Sequence, residues 1–558
     1  MYLKLKVVND LSKLVIIGGD QAYSVPFSGE TYLVYLLGVA PVHGKGIVSV
    51  NNPEKLHKIA EEIRDDYTRW IYSLNQTFLR RGLVYRGLSL FLVSDCSCKR
   101  TEFFETYSFI CNLLLIKEII EQKSPSEVAV VGVDPVFIQG LRSIAGGIPI
   151  RAEGTKGKNL AGIRRIVSDL RFVIELALIV TLKTFLGSST VERGQKARRF
   201  FFTIFPKMID TYGRDGKYGE LFQDEDRYAA SIITDGLHQH VSITSYFRLR
   251  RKARDQGLVL IDDFLGHSDW VRVLYWLVRI RWALFNDGTQ HQFMGINVAN
   301  GIRLEFAKST GRLARFMGIK GAFERFFNNY PVKEFIYYLP EYPLGRLISW
   351  MLGTQHPGVV SSGFQHGPAA WRKLVCFMSP EETSIAPDYL VNVAVPNRMF
   401  VEDEASAAIY HYSGYPNVRV MNEVYRLRYL RKIQPQKDSN WVLIAPGLHD
   451  GENMLRVLSQ EIQQNSPKGY FVKPHPLANN EYLSRFDYLS SLHVTDEPIE
   501  CLLEKVGEVY VTYSSVGHEA RTLGITVRVI DIPGVINQSP LLDGIKRIGS
   551  PYAAVIPH

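Results

Sequence analysis

Cysteine is scarce, with five residues in 558. Cys96 and Cys98 form one C-x-C pair, and Cys111, Cys376 and Cys501 are scattered. No second pair completes a zinc site, and no disulfide framework can be drawn. The expectation is reduced thiols in a cytosolic protein. The common phosphate and metal signatures are missing too. There is no GxxxxGK[ST], no GxGxxG after the first strand, no HExxH, and no Asp-x-Asp at the end of a buried strand. A P-loop, a zincin site and a metal–diphosphate clamp are therefore not expected. The first residues, MYLKLKVVNDLSKLVIIGGD, lack the uninterrupted apolar core and small-residue cleavage site of a signal peptide. A membrane span needs about 20 mostly apolar residues. The best apolar run, Phe172 to Leu186, is 15 residues long and contains Glu175 and Lys183.

What remains is ordinary globular material. Hydrophobic residues make up 46% and charged residues 22%, which excludes a disordered, collagen-like or coiled-coil chain. The length suits three or four units, which large α/β enzymes often merge into two lobes. Lys+Arg exceeds Asp+Glu by 65 to 56, a balance that favours acidic partners: phosphates, anionic lipid or nucleic acid. No nucleic-acid recognition motif appears. Aromatics reach 12%, which suggests wide apolar or sugar-stacking surfaces. Two apolar stretches are basic. Phe172–Leu186 is flanked by Arg164, Arg165, Arg193 and Lys196, and Trp270–Phe285 mixes Trp, Tyr and Arg without an acid. They are either two buried amphipathic helices with snorkelling Arg, or helices lying in an anionic membrane interface.

The hydrophobic pattern predicts an α/β fold. Leu14–Ile17, Leu88–Val93 and Val128–Val133 read as buried strands, with a helix over Phe103–Gln122 before the third. Residues 155–200 look like a basic helical insertion or bridge. Strand signals return at 201–205, Leu258–Ile261, Glu334–Tyr338 and Val359–Phe364. The last third is cleanest: Trp441–Ile444, Tyr470–Val472, Leu492–Thr495, Val509–Val511 and Thr526–Ile530 alternate with short helices. Such an order implies parallel sheets with crossover helices. Two β/α lobes across a cleft are the simplest architecture, with 1–395 as the first lobe, enlarged by helical insertions, and 396–558 as the second. The closing stretch is expected to cross back to the first lobe. In open α/β sheets ligands bind beyond the carboxyl ends of strands. The turns after three strands of the second lobe should then share one sheet edge.

Those turns carry the chemistry. Lys473-Pro474-His475-Pro476 presents a histidine between two prolines that hold its neighbours extended, beside a lysine. An imidazole and an ammonium there suit a departing phosphate. Ser514-Ser515 opens a helix, where hydroxyls and helix amides can hold an anion, and Glu519 could accept from ribose hydroxyls. An ordinary Ser cap with a following Glu is the alternative. In Ala445–Gly451, Gly447 and Gly451 permit close backbone approach to a ligand, and Asp450 is either a base or a helix cap. In the first lobe Gln365-His366-Gly367 places a histidine at a strand end, where it could act as a general base. Asp235, Asp215 and the Asp262–Asp263 pair compete for that role or serve as turn acids.

The Lys-Pro-His-Pro turn followed by the Ser-Ser turn resembles the nucleotide-binding lobe of GT-B glycosyltransferases that use CMP-activated nonulosonic acids, the sialic acid and Kdo enzymes of capsule and lipopolysaccharide synthesis. The segments 88–109, 338–350 and 363–377 are similar to a family of bacterial surface carbohydrate biosynthesis proteins. The resemblance implies a GT-B fold of two Rossmann-like lobes and metal-independent transfer of a nonulosonic acid from a CMP-sugar co-substrate to a glycan or lipid-linked glycan. It implies no other cofactor. By it, His475 and Pro476 contact the cytidine monophosphate, and Ser514 and Ser515 hold its phosphate; from their own turns, Lys473 is expected to assist the departing phosphate and His366 to be the base, with Asp235 in reserve. Related sialyltransferases carry a paired-acid-glycine motif. Thr234-Asp235-Gly236 and Arg214-Asp215-Gly216 each have only one acid. Teichoic-acid-type polymerases, which transfer polyol phosphate from CDP donors, share the His-Gly and His-Pro turns and are the nearest competitor. A non-catalytic polymer-assembly scaffold is the third reading. A cytoplasmic location, at or away from the inner membrane face, follows from either enzyme reading.

Overall fold

Runs of buried aliphatic residues, bounded by glycine or polar turns, form parallel strands that gather into sheets of five, seven and six strands. The computed structural model of the chain describes residues 12–18, 32–39, 46–101, 104–153, 161–186, 198–204, 215, 218, 227–232, 243–256, 258–285, 289–365, 367–383, 394–422, 424–464, 468–476, 478–543 and 553–556.

The first sheet is built from β1 (Lys13–Gly18), β2 (Tyr32–Leu37), β3 (Ile47–Ser49), β4 (Val128–Val131) and β5 (Ile150–Glu153), ordered β3-β2-β1-β4-β5. Helix α1 (Pro53–Glu62) follows β3, and α2 (Thr106–Lys123) precedes β4. A long helix, α3 (Ala161–Leu186), leads to the second sheet. Its strands are β6 (Arg199–Thr203), β7 (Arg227–Ile232), β8 (Val259–Leu260), β9 (Glu334–Tyr338), β10 (Val360–Phe364), β11 (Arg398–Val401) and β12 (Val418–Val420). Between them lie α4 (Ile243–Asp255), α5 (His267–Phe285), α6 (Ala299–Asn329) and α7 (Pro343–Gln355). The third sheet holds β13 (Trp441–Ala445), β14 (Gly469–Val472), β15 (Leu492–Val494), β16 (Glu508–Val511), β17 (Thr526–Ile530) and β18 (Ala553–Ile556). Helix α8 (Gly451–Gln464) follows β13, and α9 (Val516–Thr522) follows β16. All three sheets start from one plan: the first strand is central, flanked on one side by the second and third and on the other by the fourth and fifth. That is the Rossmann order, with its ligand crevice between first and fourth strands.

The α/β class with two Rossmann-like lobes and helical insertions therefore holds, with the first lobe built from two sheets. One apolar core runs from the first sheet through α5 to α7 into the second, while the third sheet has separate cores on its two faces. Many of the aromatic residues serve this packing. Phe200, Phe326, Tyr330 and Phe335 form one buried ring cluster. Strands β11 and β12 lie beyond residue 395 and still belong to the second sheet, so the change of lobe comes later than expected. Residues 553–556 add an antiparallel edge strand beside β17. The link back to the first lobe is instead the segment 531–543. The Gly38 amide donates to Pro533 at 2.8 Å, and Asn112 donates to Gly534 at 2.9 Å. Gly534 has φ +71°, and a side chain there would press on the Leu36 carbonyl. His57 on α1 accepts from the Asn537 amide at 3.1 Å through Nε2, so the nitrogen facing Asp531 carries no proton.

Leu88–Val93 departs from expectation. Only Leu88–Ser89 is a strand, half of a small hairpin with Val84–Tyr85, and Leu90–Val93 is a 3-10 turn. All six residues are buried, so the apolar run has no periodicity to separate the two backbones.

Near the start of α6, Glu305 is buried with Oε1 lacking a hydrogen-bond partner. Burial pushes its carboxyl up to about 7, against smaller downward pulls from Thr106, Lys308 and Cys96. A carboxyl raised on folding binds more protons in the folded state, so stability falls as pH rises from about 4.5 to about 7. That interval is worth at most about 3.4 kcal/mol. Glu305→Gln is expected to raise the denaturation midpoint at pH 8 and to change it little at pH 4.5. Urea titrations at the two pH values check this, and an equal shift at both would refute it.

Candidate functional site

The third sheet brings three of the sequence-selected turns to one edge. Ile444 pairs with Val472, and Ala445 with Val511, so β14, β13 and β16 end level. The turns 473–476, 446–450 and 512–515 therefore leave side by side. The crevice of this sheet lies between β13 and β16, so the turns carrying Asp450 and Thr512 flank it and the His475 turn stands one strand away.

Asp450 occupies the position before α8. Its backbone carbonyl accepts from the Met454 amide at 2.9 Å, the ordinary first bond of a helix. Its side chain does not cap. It is buried, and neither carboxylate oxygen has a directed hydrogen-bond partner. Burial raises this carboxyl above the usual range, while Thr512, nearby amides and His449 pull it down less strongly. Asn453, one turn into α8, also has a buried Oδ1 without a partner. Both residues line a 230 Å³ cavity with Thr512, Tyr513, Ile530, Asn537 and Gln538, and Thr101 of the first lobe closes one side. Gln538 donates to Thr101 Oγ1 at 2.5 Å across the lobes. Asp450 and Asn453 thus bring unpaired, solvent-shielded acceptor oxygens to the wall of one mainly apolar cavity, and buried acceptors of this kind call for donors.

The other expected residues are placed differently. Gly447 and Gly451 are occupied by aromatic neighbours: a side chain at Gly447 would run into the Tyr513 ring, and one at Gly451 into the Tyr482 hydroxyl. Lys473 and His475 are half-buried and Pro476 is exposed. The turn is pinned at both ends, with the Lys473 amide donating to Ile444 at 3.0 Å and the Ala478 amide to His475 at 2.8 Å. Ser514 and Ser515 are half-buried. The helix amides expected beside them are partly spent, since those of Gly517, His518 and Glu519 donate to the Ser514 and Ser515 carbonyls. The hydroxyls are then the groups this turn offers an anion. Glu519 is buried and accepts from Tyr429 at 2.8 Å, so it is engaged within the lobe. Asn453, Thr512 and Tyr513 were not singled out from sequence. Only their places at a strand end and in the first turn of the next helix could have flagged them.

A second cavity, of 510 Å³, opens between the lobes. Pro368, Trp371 and Asp403 of the first lobe face His518, Arg521 and Asp543 of the second across it. Burial pushes the Asp543 carboxyl up to about 6, despite the pull of Arg372. His366 and Asp235 lie outside the described residues. The chain just after His366, at Pro368 and Ala369, lines this cavity. Asp215 and Asp263 are buried and taken up by Tyr338 at 3.2 Å and Tyr246 at 2.6 Å, as structural acids are.

No protein-family model matches the chain, and no curated protein sequence matches it. Among solved structures, the UDP-GlcNAc 2-epimerase from Neisseria meningitidis bound to UDP-GlcNAc is similar at 12% identity and a TM-score of 0.33, covering 60% of this chain and 82% of that chain. The two-lobed α/β assignment rests on the strand order of the three sheets.

Proposed function

We propose that this chain is a metal-independent glycosyltransferase of bacterial surface polysaccharide synthesis. It moves a nonulosonic acid-type sugar from a CMP ester to a glycan hydroxyl. The observation that carries this reading is a pair of residues with buried unsatisfied acceptors, Asp450 and Asn453, lining a cavity at the crevice of a Rossmann-ordered sheet. The amino group of a cytosine, or sugar hydroxyls, would supply the missing donors. Lys473, His475 and the Ser514–Ser515 hydroxyls, on the neighbouring turns, would take the phosphate and stabilise it as it leaves. The acceptor would enter between the lobes, beside the turn of His366, the proposed base, with Asp235 in reserve.

Thermal-shift titration with CMP, CDP and UDP tests this. Saturation by CMP at about 100 times its dissociation constant should stabilise the protein by about 2.7 kcal/mol. A preference for CDP would favour the polyol-phosphate transferase, and no response to any nucleotide would favour the scaffold. Asp450→Ala should split the readout. The free protein should be as stable as the parent or more so, because a buried carboxyl that lacks a directed hydrogen bond and is costly to ionise is gone. Its response to CMP should fall at least tenfold in apparent affinity. Loss of stability without loss of CMP affinity would mark Asp450 as purely structural.

A further inference from the structure

Helices α3 and α5 pack on each other, and α4 packs beside α3. Each long helix buries one apolar stripe. Phe172, Leu176 and Ile179 of α3 point inward, as do Val273, Trp276 and Ile280 of α5. The reverse faces should then be polar. They are not. On α3, Val167 is 60% and Leu170 57% exposed, and Ile174 follows one turn on. On α5, Val278 is 62% and Trp282 76% exposed, with Val271 and Tyr275 on the same side. Most large apolar side chains exposed among the described residues lie on these two helices. A contiguous patch of this kind marks an interaction surface.

The charge around it is predominantly positive. The two helices carry seven Lys and Arg against three Asp and Glu. None of the three acids is exposed. Asp169 is buried against Arg281 and Arg315, Asp269 against Arg272 and Arg325, and Glu175 is paired with Arg171. Helix α4 adds five Lys and Arg against one Asp, with Arg248, Arg251 and Arg254 exposed. On the far side, Arg279 stacks near Tyr275 and Trp276 and donates to the Gly82 carbonyl, next to exposed Arg81 and Arg86. No described helix is long and apolar enough to cross a membrane.

We propose that this face is a docking surface for an anionic bilayer, with α3 and α5 lying in the interface and the cations of α4 and of the 80–86 turn on the lipid headgroups. A second copy of the chain would bring two cationic rims together. An anionic bilayer neutralises them while covering the apolar band, and Trp282 and Tyr275 are the residue types that favour the headgroup boundary. The inference does not depend on which nucleotide the chain binds.

Flotation of the full-length protein with vesicles tests it. With phosphatidylcholine containing one-third phosphatidylglycerol, most of the protein should float at low salt, and at 0.5 M salt several-fold less. With phosphatidylcholine alone, little should float. Val278→Glu/Trp282→Glu should cut the bound fraction at least tenfold while leaving the melting temperature and the nucleotide response unchanged. Leu170→Glu/Ile174→Glu gives the same test from the other helix. Arg251→Glu/Arg254→Glu should weaken binding to the anionic vesicles. Failure of the parent protein to float with anionic vesicles would overturn the proposal. So would self-association in sedimentation velocity that Val278→Glu/Trp282→Glu abolishes without any change in flotation.

Discussion

His475→Ala is expected to lower the rate of sugar transfer by about two to three orders of magnitude, while thermal stability changes by no more than about 1 kcal/mol. The turn explains both halves. Prolines on either side, and backbone bonds from Lys473 to Ile444 and from Ala478 to His475, hold its shape without the imidazole. The side chain is half-buried and is not a core contact. On the proposed function, what it loses is a donor on the turn that follows β14, beside the ends of β13 and β16. Its loss should appear in kcat more than in KM, because the donor acts on charge that develops as the phosphate leaves. His475→Gln separates two roles. Recovery of much of the rate would mean that a hydrogen bond is enough, and no recovery would mean that a proton is transferred. A folded Ala variant with near-normal turnover would remove His475 from the site.

The elements that sequence reading placed best are those with a single environment. Glu334–Tyr338 and Thr526–Ile530 match their strands residue for residue, because each is a short apolar or β-branched run closed by turn residues. The sheets themselves were less legible. Strands β11 and β12 continue the same strand–helix rhythm as the lobe that follows, and nothing local says which sheet a strand joins. The apolar face of α3 was visible as a basic, apolar stretch, but whether that face is covered is a tertiary fact. At the site, the turns were found and their detailed use was not. The amides of Gly517, His518 and Glu519 are spent on local carbonyls, and Glu519 is held by Tyr429. The segments that resemble the surface carbohydrate proteins are instructive in another way. Lys99, in 88–109, and Arg346, in 338–350, converge on one buried carboxylate, Glu382, inside the first lobe, while Thr101 of the first segment reaches the cavity at the third-sheet edge. At Lys99 and Arg346, motif character reflects a structural demand.

That demand carries the largest stability effect. Glu382 is buried between the two cations, with Lys99 Nζ at 3.0 Å and Arg346 at 2.9 Å. Lys99 also donates to the Ser97 carbonyl at 2.8 Å, and Arg346 to the Glu341 carbonyl at 3.1 Å. Burial alone would raise the Glu382 carboxyl, but Lys99 and Arg346 outweigh it and hold it below the usual range. Glu382→Gln keeps the shape and removes the carboxylate that pairs with both buried cations. Breaking a buried pair this way costs about 3–5 kcal/mol, and here two cations are stranded. The expected result is a fall of at least that size in unfolding free energy, or failure to accumulate as folded protein. Lys99→Met/Arg346→Met/Glu382→Leu should recover most of the loss, because burying apolar groups of similar volume avoids the desolvation penalty. If the triple replacement is no better than Glu382→Gln, packing and not charge explains the effect. The sign with pH follows from the lowered carboxyl. Its contribution is complete above about 4.5 and is lost as pH falls through the lower folded value. Acid unfolding of the parent should therefore steepen below pH 4.5, and a Glu382→Gln protein that folds should lack that step.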